Sequence, residues 1–209
     1  MSSQIPGPAY RIITNRLVIR CWNPEDAPLQ DAAVNESLEH LRPWMPWAVD
    51  EPSELQVRID RLRRFRGNFD LGRDFLYGIF NPGETQVLGS TGLHTGLEGS
   101  AREIGYWIHK DYINLGYATE VSAALVKVAF EIEGVDRVEI QCGPTNVRSM
   151  TIPKKLGFQH EATLRRRTVT PEGKPRDTMI WSLFADEYPA SPAAGEEIQA
   201  YDAAGRRIL

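Results

Sequence analysis

One joint in this chain restricts the folds open to it more than any other feature. "REIGYWIHKD" is β-rich, "VSAALVKVAFEIEG" has helical periodicity, and "YINLGYATE" (residues 112–120) links them with no room for a long loop. A helix entered this abruptly leaves its first backbone N–H groups unpaired. Those groups and the helix dipole attract an anion, phosphate above all. Gly116 lacks a Cβ and lets the chain turn closely around a ligand, and Ala118 is small enough to leave a diphosphate room. An ordinary helix start and a diphosphate cradle both remain open at this point. The stretch has neither GxGxxG nor GxxxxGK[ST], so a dinucleotide fold or a nucleotide triphosphatase is not supported.

The flanking segments give an order of elements. "TNRLVIRCW" reads as a first strand, and Asn23 and Pro24 suit the start of a helix. A second helix opens at Glu51 and Pro52, with Leu55, Val57, Ile59 and Leu62 in its apolar face. Three strands follow: "DFLYGIFNP", "QVLGSTGLHTG" and "SAREIGYWIHK". A helix over about 117–132 places Val121, Leu125 and Val128 on one face. Then come a strand over 135–142, a short helix that Gly157 can end in the left-handed conformation, and a hairpin. This order predicts a mixed α/β domain with antiparallel content rather than a doubly wound sheet. The domain is expected over 10–188, after a flexible N-terminus (1–9). The Ala/Pro/Gly/Glu-rich tail (189–209) reads as loosely attached or disordered, with Ile198, Tyr201 and Leu209 able to dock it.

Composition excludes several classes. The formal net charge is −4, so no basic surface for nucleic acid is implied. Two cysteines and four scattered histidines form no ligand-spaced set, so no metal is expected. No apolar run approaches a membrane span and the start lacks a signal-peptide pattern, which makes a cytoplasmic protein the default.

Six segments in order, "TNRLVIR", "HLRPWMPWA", "VLGSTGLH", "REIGYWIHKDYINLGYATE", "RVEIQCGPTNVRSM" and "KKLGF", resemble the GNAT acetyltransferase superfamily, specifically its RimJ/RimL-like protein N-terminal acetyltransferases. The resemblance spans roughly residues 10–188. It implies a mixed, mostly antiparallel sheet of about seven strands flanked by helices. That sheet is splayed between two parallel strands, Ile104–His109 and Val138–Cys142, and the gap holds acetyl-coenzyme A. The backbone around Leu115, Gly116, Tyr117, Ala118 and Thr119 would cradle the pyrophosphate. The chain departs from the family motif at Ile113, where Gln or Arg is usual, and at Asn114, where glycine is common. The missing charge would then come from elsewhere, with Lys110, Arg148 and Lys154 as candidates.

The resemblance also assigns roles. Asn146 and Ser149 would lie beside the pantetheine arm and thiol, and Asn146 is equally a good N-cap. The family's usual tyrosine near the thiol is Pro153 here, which leaves Ser149 as the candidate to protonate the leaving thiolate. Glu103 is the first candidate for general base and His94 the second, with a water chain as the third route. A strand N–H near Trp107 or Ile108 would meet the oxyanion. Trp44, Trp47, Tyr77 and Tyr106 are expected along the acceptor cleft. The implied activity is direct acetyl transfer to a primary amine. The expected acceptor is the N-terminal α-amine of a protein or peptide, with a ribosomal protein among the candidates. The alternatives are a small amine such as an antibiotic or aminoacyl conjugate, or a non-catalytic coenzyme-A-sensing protein. A monomer or homodimer is expected, with no nucleic-acid or membrane partner.

Overall fold

The computed structural model describes residues 7–170 and 172–209. Its sheet has nine strands: β1 (Arg11–Ile13), β2 (Val18–Cys21), β3 (Phe75–Phe80), β4 (Val87–His94), β5 (Ala101–Ile108), β6 (Arg137–Cys142), β7 (Gln159–Val169), β8 (Pro175–Phe184) and β9 (Gln199–Tyr201). The spatial order is β7-β8-β6-β5-β4-β3-β2-β1-β9. Four helices accompany it: α1 (Ala27–Leu41), α2 (Leu55–Asp70), α3 (Tyr117–Glu131) and α4 (Val147–Lys155). Among the described residues no helix is long and apolar enough to cross a membrane.

Every strand pair is antiparallel except β5 and β6. That pair is in register only at Ala101↔Arg137, Arg102↔Val138 and Glu103↔Glu139. Beyond Glu103 the two strands run on without pairing each other, β5 to Ile108 and β6 to Cys142. Unpaired strand groups in a protein interior are costly unless water or a ligand meets them. The expected splay is therefore present, and the sheet carries two short strands, β1 and β9, at its far edge.

The apolar stripes follow the helical period with one shift. In α3, Val121, Leu125 and Val128 are all buried. In α2, Leu55 and Val57 are exposed, and Arg58, Leu62 and Phe69 take the buried face. The reason is Glu51, which lies before the helix instead of opening it. Its buried carboxylate pairs with Arg58 at 2.7 Å and with Arg61. A charged residue entered the interior because its counter-charge was already there, which a pattern of apolar residues does not reveal.

The terminal segments correct the sequence-based expectation. Residues 1–6 of the N-terminus expected to be flexible lie outside the described residues, but Ala9 is fully buried and Tyr10 N donates to Tyr201 O at 2.8 Å. The tail is likewise held in place. β9 pairs with β1, Ala200 is buried, and Ile198, Ile208 and Leu209 pack against the core. A polar, Ala-rich composition hid a strand only three residues long. Deleting 196–209 uncovers the β1 edge and removes these contacts. At a fraction of the ~1.5–3 kcal/mol for full burial of each apolar side chain, the loss is on the order of 2 kcal/mol. Thermal denaturation of the truncated chain is expected to show a Tm lower by about 4–8 °C.

Candidate active site

The turn into α3 lies where the sequence placed it. Asn114 and Gly116 flank Leu115 with φ of +61° and +86°. Asparagine is one of the few residues other than glycine that tolerates this region, so the departure at position 114 keeps the backbone shape. Gly116 caps α3 without a side-chain bond, and the N–H groups of Thr119 and Glu120 both turn back to its carbonyl. The groups just before them are the ones an anion would meet. Gly116, Tyr117, Ala118 and Thr119 line a groove of about 500 Å³, together with Ile108, Asn146 and Ser149. Leu115 turns its side chain to solvent. Of the candidate cations, Arg148 lines the groove. Lys110 pairs with Asp111, and Lys154 lies over the Trp181 ring. Lys155 and His40, which sequence reasoning missed, also line it. Burial and the Arg148 charge both lower the His40 pKa.

A second cavity, of about 550 Å³, opens on the other side of the splay. Its floor is set by strand alternation. His94 lies opposite Glu103, and Gly92 opposite Gly105, so four residues share one face of β4 and β5. The glycines leave room for the imidazole: a Cβ on Gly92 would come within 2.5 Å of His94 Nε2. Trp44, Met45, Trp47 and Phe65 contribute apolar lining, and Gln141 and Arg176 add polar groups. Tyr77 does not reach this cavity. It is fully buried on the opposite face of β3, edge-on to Phe69, while its neighbour Leu76 lines the cavity. The parity of one strand position separates the two.

His94 Nδ1 is 2.9 Å from Asp74 Oδ1. Burial lowers the His94 pKa, but the Asp74 bond and charge and the nearby Glu103 outweigh it, and the net shift is upward. Burial raises the Glu103 pKa; Glu139 adds to the rise and His94 opposes it. Asp74 carried no signal in the sequence, since a carboxylate just before a strand is common and only the fold brings it to His94.

The two cavities meet where β5 and β6 part. Trp44, Tyr106, Trp107, Asn146 and Ser149 line both. Asn146 caps α4, its side chain accepting from Ser149 N at 3.2 Å. Tyr106 Oη lies 2.9 Å from Ser149 Oγ. Burial pushes the Tyr106 pKa well up, so its phenol holds its proton at neutral pH. The phenol beside Ser149 comes from β5, at a residue read from sequence only as part of a wall.

The groove and the cavity thus share one hydroxyl pair, Tyr106 and Ser149. The chain belongs to the acetyltransferase (GNAT) domain family, whose model matches residues 16–159, and it is an N-acetyltransferase. It is 26% identical over 186 residues to the [ribosomal protein uS5]-alanine N-acetyltransferase of Escherichia coli, covering 87% of this chain and 94% of that one. Mycobacterium smegmatis RimJ, solved with CoA-disulfide, superposes with a TM-score of 0.75 at 22% identity, over 90% of this chain and 92% of its own. RimL, a ribosomal L7/L12 alpha-N-protein acetyltransferase solved with coenzyme A, gives a TM-score of 0.75 at 17% identity, over 84% and 97%.

Proposed function

We propose that this protein transfers acetyl from acetyl-coenzyme A directly to the N-terminal α-amine of a protein or peptide. The observation that carries the proposal is the meeting of the two cavities at Tyr106 and Ser149, with Glu103 on the floor of the acceptor side. The groove suits acetyl-coenzyme A by its donors: backbone N–H groups at the start of α3 for the diphosphate, Arg148 and Lys155 for charge, and the free edge of β5 for the pantetheine amides.

The chain's own groups divide the work. Glu103, with its raised pKa, accepts the proton of the attacking ammonium, directly or through water. His94, held by Asp74, lies opposite it, and its charged form favours the Glu103 carboxylate. Trp107 and Ile108 border the gap, where a strand N–H can meet the oxyanion. At the sulfur, the Tyr106–Ser149 pair relays to the leaving thiolate the proton that the amine nitrogen loses on becoming an amide, so both hydroxyls end protonated. Trp44 and Trp47 hold the acceptor's first residues. An α-amine, with a pKa near ~8 against ~10 for lysine, needs little help from a base at neutral pH. The E. coli relative's acceptor, an alanine of ribosomal protein uS5, points the same way.

If the hydroxyl pair acts only in the transition state, Tyr106→Phe and Ser149→Ala each lower kcat by roughly tenfold to a hundredfold and leave acetyl-coenzyme A affinity unchanged. Either substitution breaks the same relay, so the double variant loses less than the product of the two. Steady-state kinetics and calorimetry check this, and parental kcat in both single variants would remove the pair from the mechanism. The acceptor is tested by a transfer screen that follows thiol release, with peptides varied at their first two residues set against polyamines, aminoglycosides and aminoacyl conjugates. Peptides beginning with Ala or Ser are expected to be turned over best. A small amine used at least about a hundredfold more efficiently, a margin of about 2.7 kcal/mol in transition-state binding, would overturn the N-terminal assignment.

A further inference from the structure

Arg16 lines neither cavity, yet it reaches from the β1–β2 connection to the loop that opens α3. Its Nη1 donates to the Leu115 carbonyl at 3.0 Å. Nε donates to Glu120 Oε2 at 2.7 Å, and Nη2 lies 2.6 Å from the same carboxylate. The guanidinium sits 4.5 Å from the Tyr117 ring centroid. Glu120, in the first turn of α3, is itself fixed by Thr14 Oγ1 at 2.6 Å and by Arg16 N at 3.2 Å. One side chain thus ties a carbonyl before the helix and a carboxylate inside its first turn to the same neighbouring connection.

The consequence follows from the planarity of the peptide bond. In a trans peptide the C=O and the N–H point in opposite directions. Drawing the Leu115 carbonyl to Arg16 therefore sends the Gly116 N–H the other way. Gly116 lines the donor groove and Arg16 does not, so that direction is the groove. The fixing matters because the residues on either side, Asn114 at φ +61° and Gly116 at φ +86°, are of types that also accept other conformations. A flipped 115–116 peptide would present an oxygen to the anion in place of a hydrogen. Glu120 matches the guanidinium charge, so the effect is one of aim rather than of net charge.

We infer that Arg16 is a positioning residue for diphosphate recognition, locking the Leu115–Gly116 peptide with its N–H toward the groove. It serves a loop that has Ile113 where an arginine or glutamine of its own is usual in the resembled family. The inference rests on the reading of the groove as the acetyl-coenzyme A site.

The test compares two ligands by calorimetry: acetyl-coenzyme A and acetyl-pantetheine, which has the same thioester arm without the diphosphate. Arg16→Gln is expected to weaken acetyl-coenzyme A about tenfold or more and to leave acetyl-pantetheine unchanged. Because that variant strands a buried carboxylate, Arg16→Gln with Glu120→Gln is measured beside it, and the same selective loss is expected. Arg16→Lys keeps a charge beside Glu120 but cannot span to the Leu115 carbonyl, and it is expected to bind like Arg16→Gln. Parental affinity in Arg16→Lys, an equal loss for both ligands, or no loss for either would overturn the inference. An unaltered protein that fails to bind acetyl-coenzyme A at about 100 μM would overturn the reading of the groove and the inference with it.

Discussion

Gly116→Val is expected to weaken acetyl-coenzyme A binding by about a hundredfold or more. Two effects combine at this position. A β-branched residue at φ +86° sits in a region that costs L-residues about 1–2 kcal/mol. Its Cβ would also lie 3.4 Å from Arg16 Nη2, at the tight end of ordinary contact, so the γ-methyls must crowd either the guanidinium or the groove. Relief requires the loop to turn, which moves the N–H groups the diphosphate needs. Gly134 supplies the control: its φ is +64° and a Cβ there meets nothing within 4 Å. Gly134→Val therefore imposes comparable strain away from the cradle. Calorimetry and thermal denaturation on both variants separate the effects. Both should lose stability, and only Gly116→Val should lose affinity. Affinity within about threefold of the parent, a difference under ~1 kcal/mol, would show that the cradle is not the binding element.

What the sequence made legible, and what it did not, divides along the range of the interactions. The turn into α3 was readable because a strand, a glycine and a helix start follow closely in the chain. The core face of α3 was readable because Val121, Leu125 and Val128 repeat with the helical period. His94 and Glu103 were proposed separately, and the β4–β5 register sets them opposite each other, which the sequence does not state. Tyr77 and Tyr106 were assigned to one wall. The side to which a strand residue points depends on register and parity, so one lies in the core and the other in the gap. Asp74, Gln141, Arg16 and the Glu51–Arg58 pair reach their roles through contacts between segments remote in sequence or outside any motif. The tail failed differently: its apolar residues were noticed, but three residues of strand make too short a run to show a period.

Glu103→Gln is expected to lower kcat/KM by roughly a hundredfold to a thousandfold, the span of a lost general base. The substitution keeps the shape of the side chain and removes its basicity. In the parent, activity should rise with pH as Glu103 loses its proton. Burial and Glu139 place that limb above the usual carboxylate range, and His94 holds it back from rising further. The variant should lack the limb. His94→Gln then decides between the two candidate bases. If Glu103 is the base, removing His94 removes a charge that favours the carboxylate, and the limb moves to higher pH but persists. If His94 is the base, the limb disappears in His94→Gln and survives in Glu103→Gln. Stability gives an independent reading of the same site. A carboxyl whose folded pKa lies above its unfolded value binds its proton more tightly when folded, so the parent loses stability as pH rises from the ordinary carboxylate pKa through the raised one. Glu103→Gln has no such loss. Its Tm should match the parent in acid and exceed it at neutral pH, where the parent must keep a half-buried carboxylate charged. A variant both slower and more stable is the expected mark of a group retained for chemistry rather than for folding. Unchanged kcat/KM and an unchanged acidic limb in both Glu103→Gln and His94→Gln would instead leave proton removal to water.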